Sequence, residues 1–327
     1  MVSTAVFLVT QRCPIACDFC APECGPHKRD RIEPAWIRER IEQMLGWGMI
    51  RQVIFSGGEP LLLGKDLIDL VALCSRNDLL TRIVTNGFWA RTEVVAGKWV
   101  ADLKAAGLTE VNISVDDFHQ AHIPLATIKH AVDALERAGI PVLLAHKRLR
   151  DSWMTVEVLE EAVGRELPVF ERETGERHPV MVSGGWTVPI GQASDGATIE
   201  RWMPDDENEA WKLPCQTVLR DVVISCRKEL LFAIGDDLAG SIAAANSDFM
   251  TNWLRLEGPY GLMQFVRQKD PTIPFHPRYV QSCHLCNDLF MRADTRAVLA
   301  EHAEEYVPVI QAKRLGLELY RDQQKIG

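Results

Sequence analysis

The 327-residue chain has no stretch of about 18 uncharged apolar residues, the length a membrane-spanning helix needs. Its N-terminal apolar run is broken almost at once by Arg12 and Cys13, so no secretory signal is expected. It also lacks a dominant charge: 36 Lys and Arg against 45 Asp and Glu give a net charge of −9. Such a balance offers no concentrated basic face for nucleic acid or an anionic membrane. Internal repeats and low-complexity tracts are absent too. With 47% hydrophobic and 25% charged residues the composition is that of an ordinary globular protein, expected to be soluble and cytoplasmic. At about 100–200 residues per domain, the length suggests two domains.

What is present is cysteine. Nine stand at positions 13, 17, 20, 24, 74, 215, 226, 283 and 286, so eight of the nine fall into an N-terminal and a C-terminal group. An odd number without a secretion signal argues against a disulfide framework and for metal or redox chemistry.

Residues 5–185 alternate strand-like and helix-like segments. Ala5–Thr10, Gln52–Phe55, Thr81–Thr85, Glu110–Val115, Pro141–Ala145 and Val180–Ser183 are short β-branched and apolar runs that suit parallel strands buried on both faces. Between them, Ile37, Ile41 and Met44, and likewise Leu125, Ile128, Val132 and Leu135, recur at helical spacing. Thr92 reads as a helix start and Gly107 and Gly139 as helix stops. Roughly six βα units in tandem predict an α/β fold, a parallel sheet with helices outside that is either open or curved into a partial (βα)6 barrel, with ligands at the C-terminal ends of the strands. The pattern changes near Trp186. An acidic stretch leads to Cys215, a hairpin-like segment over Val222–Ile234 and a helix near Pro259–Arg267 follow, and then comes Cys283-His-Leu-Cys286. We divide the chain into 1–190 and a smaller domain over 191–327.

Cys13-Pro-Ile-Ala-Cys17-Asp-Phe-Cys20 is C-x3-C-x2-C in the loop after the first strand. Three thiolates at this spacing suit a 4Fe–4S cluster with one iron left open to a chelating cofactor. The alternative is an all-cysteine zinc site with Cys24 as fourth ligand. Ser56-Gly57-Gly58-Glu59-Pro60 follows the second strand, Thr85-Asn86-Gly87-Phe88-Trp89 the third, and Ser114-Val115-Asp116 the fourth. In this order the motifs resemble those of the AdoMet radical (radical SAM) superfamily, with Phe19 as the aromatic residue before the last cysteine. The resemblance implies that Cys13, Cys17 and Cys20 hold the cluster. It implies further that S-adenosyl-L-methionine lies against Phe19, Ser56, Gly57, Gly58, Glu59, Pro60, Thr85, Asn86, Ser114 and Asp116. An external one-electron reductant of flavodoxin or ferredoxin type is then required.

The C-terminal cysteines 215, 226, 283 and 286 resemble a twitch or SPASM-type extension, and four thiols match one auxiliary 4Fe–4S cluster. A structural zinc site is the alternative, and Cys226 is the ligand whose register is open. Asn86–Trp89, Asp117-Phe118-His119 and the Ser-Cys-x2-Cys-x3-Phe pattern ending at Phe290 resemble peptide epimerases that mature ribosomally made peptides. The segment Pro189–Ala193 departs from relatives with G-R-A there, since Gln192 lacks an arginine's charge. Epimerisation needs a thiol that returns hydrogen. Cys24 and Cys226 are the candidates, with His119 as a further catalytic candidate; Cys74 lies on the apolar face of a helix and reads as core. Cross-linking or dehydrogenation needs no such thiol. His122 is a possible substrate contact, and Lys28, Arg29 and Arg31 read as a solvated basic loop. With twelve residues ahead of Cys13, no separate peptide-recognition domain is expected there. Two further functions stay open: a small-molecule radical dehydrogenase of the aminocyclitol type, and a non-catalytic zinc or iron–sulfur regulatory module.

Overall fold

The computed structural model describes residues 3–46, 48, 50–170, 176–185, 210–212, 221–224, 258–302 and 305. Among the described residues seven strands form one parallel sheet: β1 (Thr4–Thr10), β2 (Gln52–Gly57), β3 (Leu80–Thr85), β4 (Glu110–Ser114), β5 (Val142–Ala145), β6 (Val180–Ser183) and β7 (Asp221–Ile224). Their order is β6-β5-β4-β3-β2-β1-β7, so the described sheet is open, a partial barrel. The helices between strands are α1 (Pro34–Leu45), α2 (Lys65–Arg76), α3 (Glu93–Ala105), the single turn α4 (Asp117–Gln120), α5 (Leu125–Arg137) and α6 (Val156–Val163).

The local reasons are those read from the sequence. Ile37, Ile41 and Met44 of α1 are buried, as are Leu67, Leu70, Val71 and Cys74 of α2, because 3.6-residue spacing puts each set on one face. The Thr92 hydroxyl accepts the Val95 N–H and caps α3, while Gly107 and Gly139 follow the C-caps of α3 and α5. In the sheet, Phe7 of β1 and Phe55 of β2 pair in register with ring centroids 6.4 Å apart, both without exposure. Burial on both faces is what continuous apolar strands require.

The expected hairpin over Val222–Ile234 is corrected where it can be seen. Asp221–Ile224 is a parallel strand on the far edge of β1, with Thr4 opposite Asp221 and Phe7 opposite Ile224. Residues 225–234 lie outside the described residues.

The chain separates into two compact units, 1–203 with 221–231, and 204–220 with 232–327. In the second, a short 3-10 turn (Ala210–Lys212), α7 (Gly258–Lys269), α8 (Ser282–Met291) and α9 (Ala293–Glu301) close around Trp211, Leu262, Val266, Tyr279, Leu285 and Leu289. The helix expected near Pro259–Arg267 is α7. Among the described residues no helix is long and apolar enough to cross a membrane.

Candidate active site

The C-terminal ends of β1 to β5 converge on a cavity of about 270 Å³. Cys13, Cys17 and Cys20 border it together with Phe19, Cys24, Ser56, Gly57, Gly58, Thr85, Asn86, Ser114, Asp116, His119 and Lys147. A larger groove of about 910 Å³ lies between α2 and α3, but its charged rim includes the Lys65–Asp69 ion pair and no convergent chemistry.

The cysteine loop is held by the strand beside it. Gly58 N–H donates to the Thr10 carbonyl at 2.6 Å and Glu59 N–H to the Arg12 carbonyl at 3.0 Å. A Cβ on Gly57 would stand 2.6 Å from the Thr10 oxygen, and one on Gly58 would stand 2.2 Å from the Arg12 oxygen. Only glycine lets the end of β2 lie this close to the backbone that leads into Cys13. The pair thus serves a close approach to the chain's own cysteine loop.

The three thiols differ. Burial pushes Cys13 up to about 11, against a backbone hydrogen bond from Ile15 that favours its thiolate. Cys17 is pushed up by burial and by the neighbouring Asp116 carboxylate, and its Sγ faces the Phe118 carbonyl at 3.9 Å. Cys20 is lowered to about 7, first by a side-chain hydrogen bond with Cys24 and then by the Cys24 N–H at 3.2 Å, the Glu23 N–H and His119. Three thiols on one cavity wall, one of them readily ionised, are the donor set that an iron–sulfur cluster takes. Among the described residues no group of three His, Cys, Asp or Glu converges as a single-ion site.

The remaining strand-end residues form a hydrogen-bonded frame. Glu59 is fully buried and does not border the cavity. Its carboxylate accepts the Leu61 N–H at 3.1 Å, the Thr85 hydroxyl at 2.8 Å and the Asn86 N–H at 3.0 Å. Burial nonetheless raises it to about 7, the hydrogen bonds opposing. Pro60 is buried behind it at the start of a 3-10 turn. Asn86 Oδ1 accepts the Phe88 N–H at 3.0 Å and Asn86 Nδ2 reaches Cys13 Sγ at 3.4 Å. Asp116 caps α4, accepting the Phe118 and His119 N–H groups at 3.1 and 3.0 Å, and lies 2.8 Å from His119 Nδ1. Phe19 packs on Phe118 with ring centroids 4.3 Å apart and meets His119 edge-on at 5.6 Å.

The structure therefore gathers Cys13, Cys17, Cys20, Phe19, Cys24, Ser56, Gly57, Gly58, Thr85, Asn86, Ser114, Asp116 and His119 at one cavity and sets Glu59 and Pro60 behind its wall. Cys24 is buried, with Sγ 3.6 Å from the Pro22 carbonyl. His122 is exposed and contacts the Ala16 carbonyl at 3.1 Å. Cys215 and Cys226 lie outside the described residues. Cys283 and Cys286 are on α8, exposed and half-buried respectively, and their i, i+3 spacing puts both on one face. Lys147, two residues past β5, was not singled out from the sequence, because its Lys-Arg-Leu-Arg surroundings carry no motif.

Residues 7–148 match the model of the Radical SAM superfamily. The chain is 21% identical over 313 residues to YydG of Bacillus subtilis (strain 168), named for peptide biosynthesis, covering 90% of this chain and 94% of that protein. It is 38% identical over 146 residues to the PqqA peptide cyclase of Xanthomonas campestris pv. campestris (strain B100), covering 42% of this chain and 37% of the cyclase. The crystal structure of BtrN in complex with AdoMet and 2-DOIA superposes with a TM-score of 0.45 at 14% identity, over 79% of this chain and 89% of that one.

Proposed function

The chain carries a radical SAM domain over residues 7–148 and is a radical SAM enzyme, and on that premise we propose that it modifies a ribosomally made peptide by hydrogen abstraction. When bound, a 4Fe–4S cluster and S-adenosylmethionine supply the chemistry: reductive cleavage gives a 5′-deoxyadenosyl radical that takes hydrogen from the substrate. The chain supplies ligation, orientation and exclusion of water. Cys13, Cys17 and Cys20 hold the cluster. Ser56, Thr85, Asn86 and Ser114 offer polar groups on the cavity wall, and Phe19, backed by Phe118, adds an apolar one. The observation that carries this reading is the gathering of three thiols and the motifs at the ends of β2, β3 and β4 around one cavity. The peptide as substrate class rests on the similarity to YydG, which runs along almost the whole of both chains. Cys283 and Cys286, with Cys215 and Cys226, hold an auxiliary cluster in this reading, and an external flavodoxin or ferredoxin supplies electrons.

The test is S-adenosylmethionine cleavage by anaerobically reconstituted protein. Wild type is expected to form 5′-deoxyadenosine and Cys13→Ala none; an unchanged rate in that variant would show the assignment to be wrong. Co-expression with candidate precursor peptides in deuterated medium then reads the fate of the substrate radical. Deuterium gained at one Cα marks epimerisation, and loss of two hydrogens marks cross-linking or dehydrogenation. A fully active enzyme that leaves every peptide unchanged and oxidises a small alcohol would replace the peptide reading. In an epimerase, Cys24→Ala is expected to stop deuterium incorporation while cleavage continues.

A further inference from the structure

The Asn86 amide is oriented by its own surroundings. The Phe88 N–H can only donate, so the atom it meets at 3.0 Å must be Oδ1, and the Nδ2 hydrogens are left facing Cys13 Sγ at 3.4 Å. From the other side the buried Glu59 carboxylate holds the Asn86 N–H and, through the Thr85 hydroxyl, the Gly87 N–H that donates to that hydroxyl at 3.1 Å. Thr85, Asn86 and Glu59 are almost without exposure, so water does not compete for these bonds.

We propose that Asn86 is a positioning residue that sets the reduction potential of the cluster through Nδ2–H donated to Cys13, and that Glu59 acts by holding Asn86. The proposal rests on the cluster assignment above. Reduction adds negative charge that the ligand sulfurs share, and a hydrogen bond to a sulfur stabilises the more negative state more. The donor therefore raises the potential and eases acceptance of an electron from an external reductant. In this arrangement Glu59 faces the loop that carries Asn86, which accounts for its place behind the wall.

The experiment is EPR-monitored reduction of the anaerobically reconstituted full chain, read on the signal that changes when S-adenosylmethionine is added. At a fixed poise, Asn86→Ala is expected to lower the ratio of reduced to oxidised cluster about tenfold, which is about 59 mV for a one-electron couple. Asn86→Asp keeps the acceptor for Phe88 but loses the donor, and is expected to shift the ratio in the same direction. Glu59→Gln turns an N–H₂ toward one of its donors but also removes a negative charge that acts directly on Cys13, so the part given to Glu59 is read from the coupling: its shift in wild type is expected to lie further toward the oxidised cluster than its shift in the Asn86→Ala background. Equal ratios in wild type, Asn86→Ala and Asn86→Asp overturn the proposal. The same Glu59→Gln shift in wild type and in the Asn86→Ala background overturns the part given to Glu59. Should Asn86→Ala fail to assemble a cluster, Asn86→Leu, which keeps the volume, lacks the donor and brings no charge beside Cys13, takes its place. Wild type without any cluster signal would sink the functional reading itself, whereas a normal signal with unmoved potentials sinks only this inference.

Discussion

Glu59 sets the residue scale. Three donors meet its carboxylate, yet removal from water dominates and lifts it from 4.5 to about 7. Between these values the folded chain binds more protons than the unfolded one. The contribution is therefore fully present below pH 4.5 and is lost as pH rises through about 7. A shift of that size corresponds to about 3 kcal/mol. The apo-protein should accordingly melt at a lower temperature at pH 8 than at pH 5, and Glu59→Gln should flatten that difference. Identical pH slopes for the two proteins would show that Glu59 does not carry the effect. The Gly-Gly-Glu motif was legible as a site marker because it follows a strand. The direction of the Glu59 side chain was not, since it depends on the Thr85 and Asn86 groups 26 and 27 residues away.

At the scale of elements, the contact between the ends of β1 and β2 is the joint on which the cysteine loop depends. Gly58→Ala would push a methyl carbon to 2.2 Å from the Arg12 oxygen. Backbone has to move, at a cost of roughly 1–3 kcal/mol for overpacking. The expected result is a lower thermal midpoint together with reduced iron retention after reconstitution. A variant that melts and loads as wild type does would show that the loop yields without cost. Strand positions were legible to within two residues because β-branched runs between helical periods have one reading in a parallel sheet. The segment at 222 misled for the converse reason. A run of three β-branched residues looks the same in a hairpin and in a parallel edge strand, and only its partner, β1, distinguishes them.

For the whole molecule, Cys13, Cys17, Cys20, Cys24, Cys74 and Cys226 fall within the bounds of the first unit and Cys215, Cys283 and Cys286 within those of the second, and in the described part of the second the pair Cys283 and Cys286 sits on α8, with Cys286 packed against the Trp211–Leu289 core. If these thiols hold an auxiliary cluster, Cys283→Ala should lower iron from about eight to about four atoms per chain. Cleavage of S-adenosylmethionine without substrate should persist while substrate turnover stops. Iron unchanged in that variant would remove the auxiliary cluster from the reading.

By itself the sequence determined the succession of strands and helices, the triple-cysteine loop and the motif at each strand end. Each of these is a local pattern, written in the spacing of neighbouring residues. Tertiary structure alone decided what each motif faces. It turned Glu59 away from the cavity, aimed the Asn86 amide at Cys13 and brought in Lys147. It also set β7 beside β1. Those outcomes depend on which groups, distant in the chain, are left to satisfy a buried donor, acceptor or strand edge, and no local spacing encodes that.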